Sequence, residues 1–198
     1  MILIVATGNR GKLVEIQNLL ADLPLDLRSL ADFEPVAEPV EDQPDFEGNA
    51  RLKARYYAEK LGHPVLADDS GLEVDALGGA PGVISARYAG EPSDDQRNNA
   101  KLLRELEGVP DEKRTARFRC VLCITGPELP GGEQVFHGVV EGRIIEAPRG
   151  EGGFGYDPLF FHPGLGRTTA EIPLAEKNRI SHRGQALGQL HAYLKRIL

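Results

Sequence analysis

Val65-Leu66-Ala67-Asp68-Asp69-Ser70-Gly71-Leu72-Glu73-Val74 is the stretch on which the reading of this chain turns. Val65 to Ala67 is a short apolar run of the kind that forms a buried strand. Asp68 and Asp69 end it, just before a turn predicted at Ser70-Gly71. Two acids at a strand end put unpaired negative charge at the rim of a sheet, which calls for water or a cation. Carboxylate oxygens suit a hard ion such as magnesium, which tends to arrive with a phosphate. A solvated turn rich in Asp, Ser and Gly accounts for the same letters. The stretch alone leaves both readings open.

Upstream, Ile2 to Ala6 reads as a second buried strand. It leads into Thr7-Gly8-Asn9-Arg10-Gly11-Lys12, and then Leu13, Ile16, Leu19 and Leu20 recur at helical spacing. Strand, glycine loop and helix start together offer backbone N–H groups and a positive dipole end to a phosphate. Gly8 and Gly11-Lys12 are too close together for a P-loop, and the dinucleotide fingerprint fails as well. An ordinary turn between strand and helix is the competing account. A short strand is predicted around Leu25 to Leu30, inside an acidic, proline-punctuated stretch from Pro24 to Pro44. A helix then begins near Asp45, with Ala50, Ala54, Tyr57, Ala58 and Leu61 on one face and Gly62 as its stop. Lys53 lies off that face, where lysine is ordinarily just solvated.

Downstream, Ser93 to Gln96 has capping-box spacing and opens a helix carrying Leu102, Leu103 and Leu106. Strands are predicted at Thr115 to Ile124 and Glu133 to Val140, joined as a hairpin. Glu151-Gly152-Gly153-Phe154-Gly155-Tyr156-Asp157-Pro158 lets backbone approach a flat ligand and offers rings for stacking. Its aromatics read equally well as core residues. Ser181 is a candidate N-cap for a last helix striped by Ala186, Leu187, Leu190, Tyr193, Leu194 and Ile197. His182 and Arg183 then oppose the dipole in its first turn, a weak pointer to an anionic or electron-rich partner.

The length, 198 residues, fits a single domain, 1–198, with a core of ordinary size. The net charge of −7 argues against a broad nucleic-acid surface, so any anionic ligand must be met by locally gathered cations. The apolar run at the start is too short for a signal peptide or membrane span, which makes a cytoplasmic location the expectation. Cys120 and Cys123 lie on a predicted strand, where residues three apart face opposite ways. They read as packed thiols rather than a metal or redox pair.

Five motifs in order carry a resemblance. They are Thr7-Gly8-Asn9-x-x-Lys12, Ala67-Asp68-Asp69-Ser70-Gly71-Leu72, Gly78-Gly79-Ala80-Pro81-Gly82 with Ser85-Ala86-Arg87-Tyr88, Gly152 to Pro158, and Ser181-His182-Arg183-Gly184-x-Ala186. Together they resemble the inosine triphosphate pyrophosphatase family, which clears deaminated purine nucleotides. The resemblance implies an α/β fold: a long twisted mixed sheet flanked by helices, in two lobes with a substrate cleft between them. It implies a homodimer that uses Mg2+ to turn ITP, dITP, XTP or dXTP into the monophosphate and pyrophosphate, with no direct role for nucleic acid or membrane. By motif it assigns Thr7, Gly8, Asn9, Arg10, Gly11, Lys12 and Lys53 to the triphosphate. Glu41 and Asp69, with Asp68 as a further candidate, go to the metal, and Asp69 is the base. Ser70, Phe154, Gly155, Tyr156, Asp157, Lys177, His182 and Arg183 go to the nucleoside.

Three other readings compete. A related pyrophosphatase family acts on pyrimidine or modified nucleotides, but generally carries a Ser and Arg version of the first loop. A non-catalytic nucleotide sensor would gain nothing from three acids beside an anionic ligand. A phosphatase releasing orthophosphate differs in its products.

Overall fold

The computed structural model describes residues 1–8 and 10–198. Its strands form one seven-stranded mixed sheet in the order β2-β1-β3-β4-β5-β6-β7. These are β1 (Ile2–Ala6), β2 (Asp26–Ser29), β3 (Val65–Val74), β4 (Thr115–Thr125), β5 (Gln134–Ile144), β6 (Phe160–His162) and β7 (Arg167–Thr168). The helices are α1 (Arg10–Leu19), α2 (Phe46–Leu61), α3 (Asp95–Glu105), α4 (Leu174–Ile180) and α5 (His182–Ile197). Strands alternating with helices in the first third give the α/β class. β1 pairs in parallel with both β2 and β3, while β5, β6 and β7 pair antiparallel.

The chain divides into two compact units. Unit 1 holds Met1–Asp69, Cys120–Gly138 and Gln185–Leu198, and unit 2 holds Ser70–Arg119 and Val139–Gly184. Each has a core of its own. In unit 1, Leu3 and Val5 of β1 pack with Ile16 and Leu20, with Leu122 of β4, and with Leu187, Leu190 and Leu194 of α5. Ile4, also fully buried, points to the opposite face of β1, since alternate strand residues face opposite ways. In unit 2, Leu72, Val74, Leu102, Leu106, Phe118, Ile144 and Phe160 form the core.

The helix ends follow their signals. Asp45 caps α2 by accepting the Gly48 N–H at 2.7 Å, and Gly62 ends it in the left-handed region at φ 68°. Ser181 accepts the Gly184 N–H at 3.0 Å at the start of α5. A side chain at Gly184 would meet the Asn178 carbonyl oxygen, at 1.9 Å, so glycine lets the first turn of α5 close on α4. Both cysteines are buried free thiols, and burial pushes Cys123 up to about 12.

Four expectations change. The strand predicted to stop at Ala67 runs on through Asp68, Asp69, Ser70 and Gly71 to Val74. No turn forms, because Leu72 and Val74 are core residues and the acids find partners inside the protein. The cap of α3 is Asp94, which accepts the Arg97 N–H at 2.8 Å, whereas the Ser93 hydroxyl is spent on the Ala86 carbonyl. β5 extends four residues beyond Val140, to the buried Ile144. Sequence periodicity gave no sign of β6, β7 or α4, each too short to show a period.

Candidate functional site

The parallel part of the sheet fixes the first set of residues. β1 has β2 on one side and β3 on the other, and both crossovers carry a helix. Strand order reverses there, and in open parallel sheets ligands bind beyond the carboxyl ends of strands at such a point. The register pairs Ala6 with Ala67, so Thr7 and Asp68 both lie one residue past it. Gly8 follows on an exposed stretch. A Cβ at Gly8 would meet nothing within 4 Å, and its φ lies outside the left-handed region. The surrounding fold sets no requirement for glycine there, whereas close approach of a ligand to the backbone would. Asn9 and the side chain of Arg10 lie outside the described residues.

Lys12, in the first turn of α1, brings its Nζ to 2.6 Å from Asp68 Oδ2. That turn contains no acid, so its N–H groups remain suited to an anion. Lys53 of α2 reaches Glu41 Oε2 at 3.0 Å and Asp69 Oδ1 at 3.6 Å. The expectation of a merely solvated lysine is corrected here: only 13% of its side chain is exposed. Burial lowers its pKa, but Asp69, Asp68 and Glu41 outweigh that and leave it raised. Asp68 and Asp69 are 5% and 8% exposed, and three carboxylates thus meet two ammonium groups.

Asp69 also accepts the Asn49 amide at 3.1 Å, and the Asn49 oxygen accepts the Gln43 N–H at 3.1 Å. Asn49 is 1% exposed and so ties the segment carrying Glu41 to the carboxylate on β3. Burial pushes the Asp69 carboxyl up to about 6; Lys53 and Asn49 oppose that, and Glu41 and Asp68 reinforce it. Among the described residues no three His, Cys, Asp or Glu side chains form a ready metal cluster. The donor chemistry still fits magnesium, which usually takes one or two carboxylates and completes its shell with phosphate and water oxygens.

The second set lies within unit 2. The Phe154 ring is 40% exposed, with Lys177 Nζ 4.9 Å and the Arg183 guanidinium 5.6 Å from its centre. The Asp157 carboxylate accepts three donors: the Phe154 N–H at 2.9 Å, the Thr169 hydroxyl at 2.8 Å and the Lys177 ammonium. A side chain at Gly153 would collide with that carboxylate, at 2.0 Å, and Gly153 is also left-handed at φ 76°. Tyr156 is 5% exposed, and its hydroxyl donates to the Ser85 carbonyl at 2.7 Å. The two aromatics of the loop therefore divide: Tyr156 belongs to the core and Phe154 presents a ring.

Arg183 donates to the Ser70 hydroxyl at 3.3 Å, and His182 stacks on Phe118 at 4.9 Å between centres and 15° between planes. Both basic residues are buried, at 4% and 9% exposure, rather than lying on the surface at the start of α5. Behind Lys177 and Asp157 is a pocket of about 10 Å3, also lined by His162, Thr169 and His182. It has room for about one water molecule and none for a purine.

Lys12, Glu41, Lys53, Asp68 and Asp69 are thus brought together in unit 1. Ser70, Phe154, Asp157, Lys177 and Arg183 are linked in unit 2. Asn49 and Thr169 were missed as participants. An amide in the first turn of the predicted helix, next to Ala50, was the signal available for Asn49, and Thr169 gave none.

A model of the Ham1 family matches residues 3–193. A protein named dITP/XTP pyrophosphatase from Geobacter sulfurreducens is 55% identical over 97% of this chain and 96% of its own. One of the same name from Geobacillus kaustophilus is 53% identical over 95% and 91%. The solved structure of a HAM1 protein from Coxiella burnetii superposes with a TM-score of 0.92 at 44% identity, covering 99% of both chains. These matches agree with the resemblance read from the five motifs. The chain belongs to the Ham1 family.

Proposed function

We propose that this chain hydrolyses deaminated purine nucleoside triphosphates, ITP, dITP, XTP and dXTP, to the monophosphate and pyrophosphate. The observation that carries the reading is the Asp69 carboxylate, held by Asn49 and Lys53 and pushed by burial up to about 6. A carboxylate fixed by two partners is oriented to take the proton of a water placed beside it. The names of the Geobacter and Geobacillus relatives support the same reaction. One family model spanning 3–193 supports treating both units as a single pyrophosphatase domain.

The reaction needs water in line with the leaving pyrophosphate. The water oxygen bonds to the α-phosphorus, the bond from that phosphorus to the bridging oxygen breaks so that the oxygen leaves with pyrophosphate, and the proton passes to Asp69. Phosphoryl transfer asks mainly for positioning and charge stabilisation. Lys12 and Lys53 answer the charge gathering on the leaving group, with Gly8 and the α1 start on the triphosphate. Asp69 and Glu41 would hold magnesium, with Asp68 a further candidate, and the ion when bound supplies positive charge to the non-bridging oxygens.

The nucleoside is the business of unit 2. Phe154 offers its exposed face to the purine, and Ser70, Lys177, His182 and Arg183 supply polar contacts. Hypoxanthine and xanthine carry an acceptor at position 6, where adenine has an amino donor. A donor from Arg183 or from the loop would be left unpaired by adenine, a mismatch that discriminates strongly.

One assay tests the proposal: ITP with magnesium, measuring pyrophosphate and orthophosphate separately. Equimolar IMP and pyrophosphate is the expected result. Orthophosphate would make the protein a phosphatase, and no product would make it a sensor.

A further inference from the structure

We propose that Asp95 and Asn99 of α3 are positioning residues for the purine, acting through Gly155 on the Phe154 ring; the inference rests on Phe154 being the stacking partner. Residues four apart share a helix face. From that face Asp95 Oδ2 accepts the Gly155 N–H at 2.7 Å, and Asn99 Nδ2 donates to the Gly155 carbonyl at 2.9 Å. One helix therefore holds both backbone polar groups of the residue next to Phe154.

Two features mark this as more than a loop contact. Phe154 is 40% exposed, so beside the Lys177 and Arg183 cations at 4.9 and 5.6 Å from its ring centre the backbone takes a large share in setting the ring's height. Gly155 sits in the left-handed region at φ 62° with open space around a would-be Cβ. Its backbone groups, not its lack of a side chain, are what α3 reads. The Asn99 amide is also a costly choice. Its Oδ1 is buried with no hydrogen-bond partner among the described residues. Turning the amide over would set that oxygen against the Gly155 carbonyl, so the donor has one place to point.

α3 is a firm base for such a grip. Leu102 and Leu106 are fully buried, and the Asn98 amide bonds both Ala89 N–H, at 2.7 Å, and Ala86 carbonyl, at 2.9 Å. With Phe154 N–H on Asp157 and Gly155 on α3, the ring is set before a base arrives. Preorganisation of this kind lowers the cost of binding.

The experiment is steady-state kinetics on ITP for Asp95→Ala, Asn99→Ala, the double variant, Asp95→Asn and Phe154→Ala, with tripolyphosphate as a base-free inhibitor. The double variant should raise KM about 3- to 10-fold and leave kcat within about 2-fold, the mark of lost substrate binding. Asp95→Asn keeps an acceptor and should restore the wild-type KM. Inhibition by tripolyphosphate should not change. In the Phe154→Ala background the double substitution should add little, because both act through one ring. A folded double variant with a lower melting temperature and an unchanged KM overturns the inference. So do effects additive with Phe154→Ala. If Phe154→Ala itself leaves KM unchanged, the stacking reading falls and the inference with it; if it raises KM and the double variant does not, the inference falls alone.

Discussion

The candidate residues of unit 1 hold one another, whereas those of unit 2, besides the Lys177–Asp157 pair, also hold the backbone that carries Phe154. In unit 1 the links are between charged side chains: Lys12 with Asp68, and Lys53 with Glu41 and Asp69. In unit 2 the Asp157 carboxylate takes the Phe154 N–H, and Asp95 and Asn99 take both ends of Gly155. The difference follows from what each set would have to bind. Buried charges need partners at all times, so cations meant for a polyanion neutralise the nearby acids until they can exchange. An uncharged ring needs no such exchange and can be fixed in advance. Substitutions in unit 1 should therefore damage chemistry and charge binding, and those in unit 2 should damage recognition of the base.

The sharpest division is expected at Asp69. Asp69→Asn keeps the shape and the Asn49 contact but removes the carboxylate proposed as base, which should lower kcat about 10^3-fold. Affinity for ITP, measured by equilibrium titration, should stay close to wild type. Near-full turnover in this variant would end the assignment. Lys53→Ala comes next, with kcat/KM falling about 10^2-fold. Because Lys53 serves charge alone, inhibition by tripolyphosphate should weaken in parallel. A loss confined to ITP would place Lys53 with the base-binding set and break the comparison.

How far the sequence discloses this arrangement depends on the kind of signal. β1, α2, β4 and α5 were legible because periodicity, caps and glycine stops agree over ten or more residues in most of them, and over a closed apolar run in β1. The strand carrying the acids was misread at its centre. Asp-Asp-Ser-Gly has the composition of a turn, and nothing local reveals that Lys12, Lys53 and Asn49 arrive from elsewhere to satisfy the carboxylates. Lys53 shows the same blindness from the other side, since its exposed helical position hides its ion pairs. Asp95 and Asn99 look like ordinary residues at the start of a polar helix. Their meaning lies in Gly155, about sixty residues away.

Phe154→Ala tests the unit 2 half of the comparison at moderate scale. Stacking of a base on an aromatic ring contributes about 1–3 kcal/mol, so KM for ITP should rise about 10-fold with kcat largely kept. Tripolyphosphate inhibition should be untouched, the reverse of the Lys53→Ala pattern. If the base-free inhibitor weakens equally, the ring is not reporting on the purine.

The smallest effect concerns stability. Burial raises the folded Asp69 carboxyl from its ordinary 3.8 to about 6. Between those values the folded chain binds more proton than the unfolded one, so this group's contribution falls as pH rises through the window. Below it the carboxyl is neutral in both states and the penalty vanishes. Asp69→Asn cannot ionise and escapes the penalty. In a metal-free buffer its melting temperature should exceed that of the wild type by a few degrees at about pH 8. The gap should close as pH falls to about 4. Phe154→Ala, which leaves Asp69 in place, should show no such pH-dependent gap. Equal melting temperatures for wild type and Asp69→Asn at both pH values would mean that Asp69 is ionised without cost. The charge set of unit 1 would then be as settled before binding as the ring of unit 2.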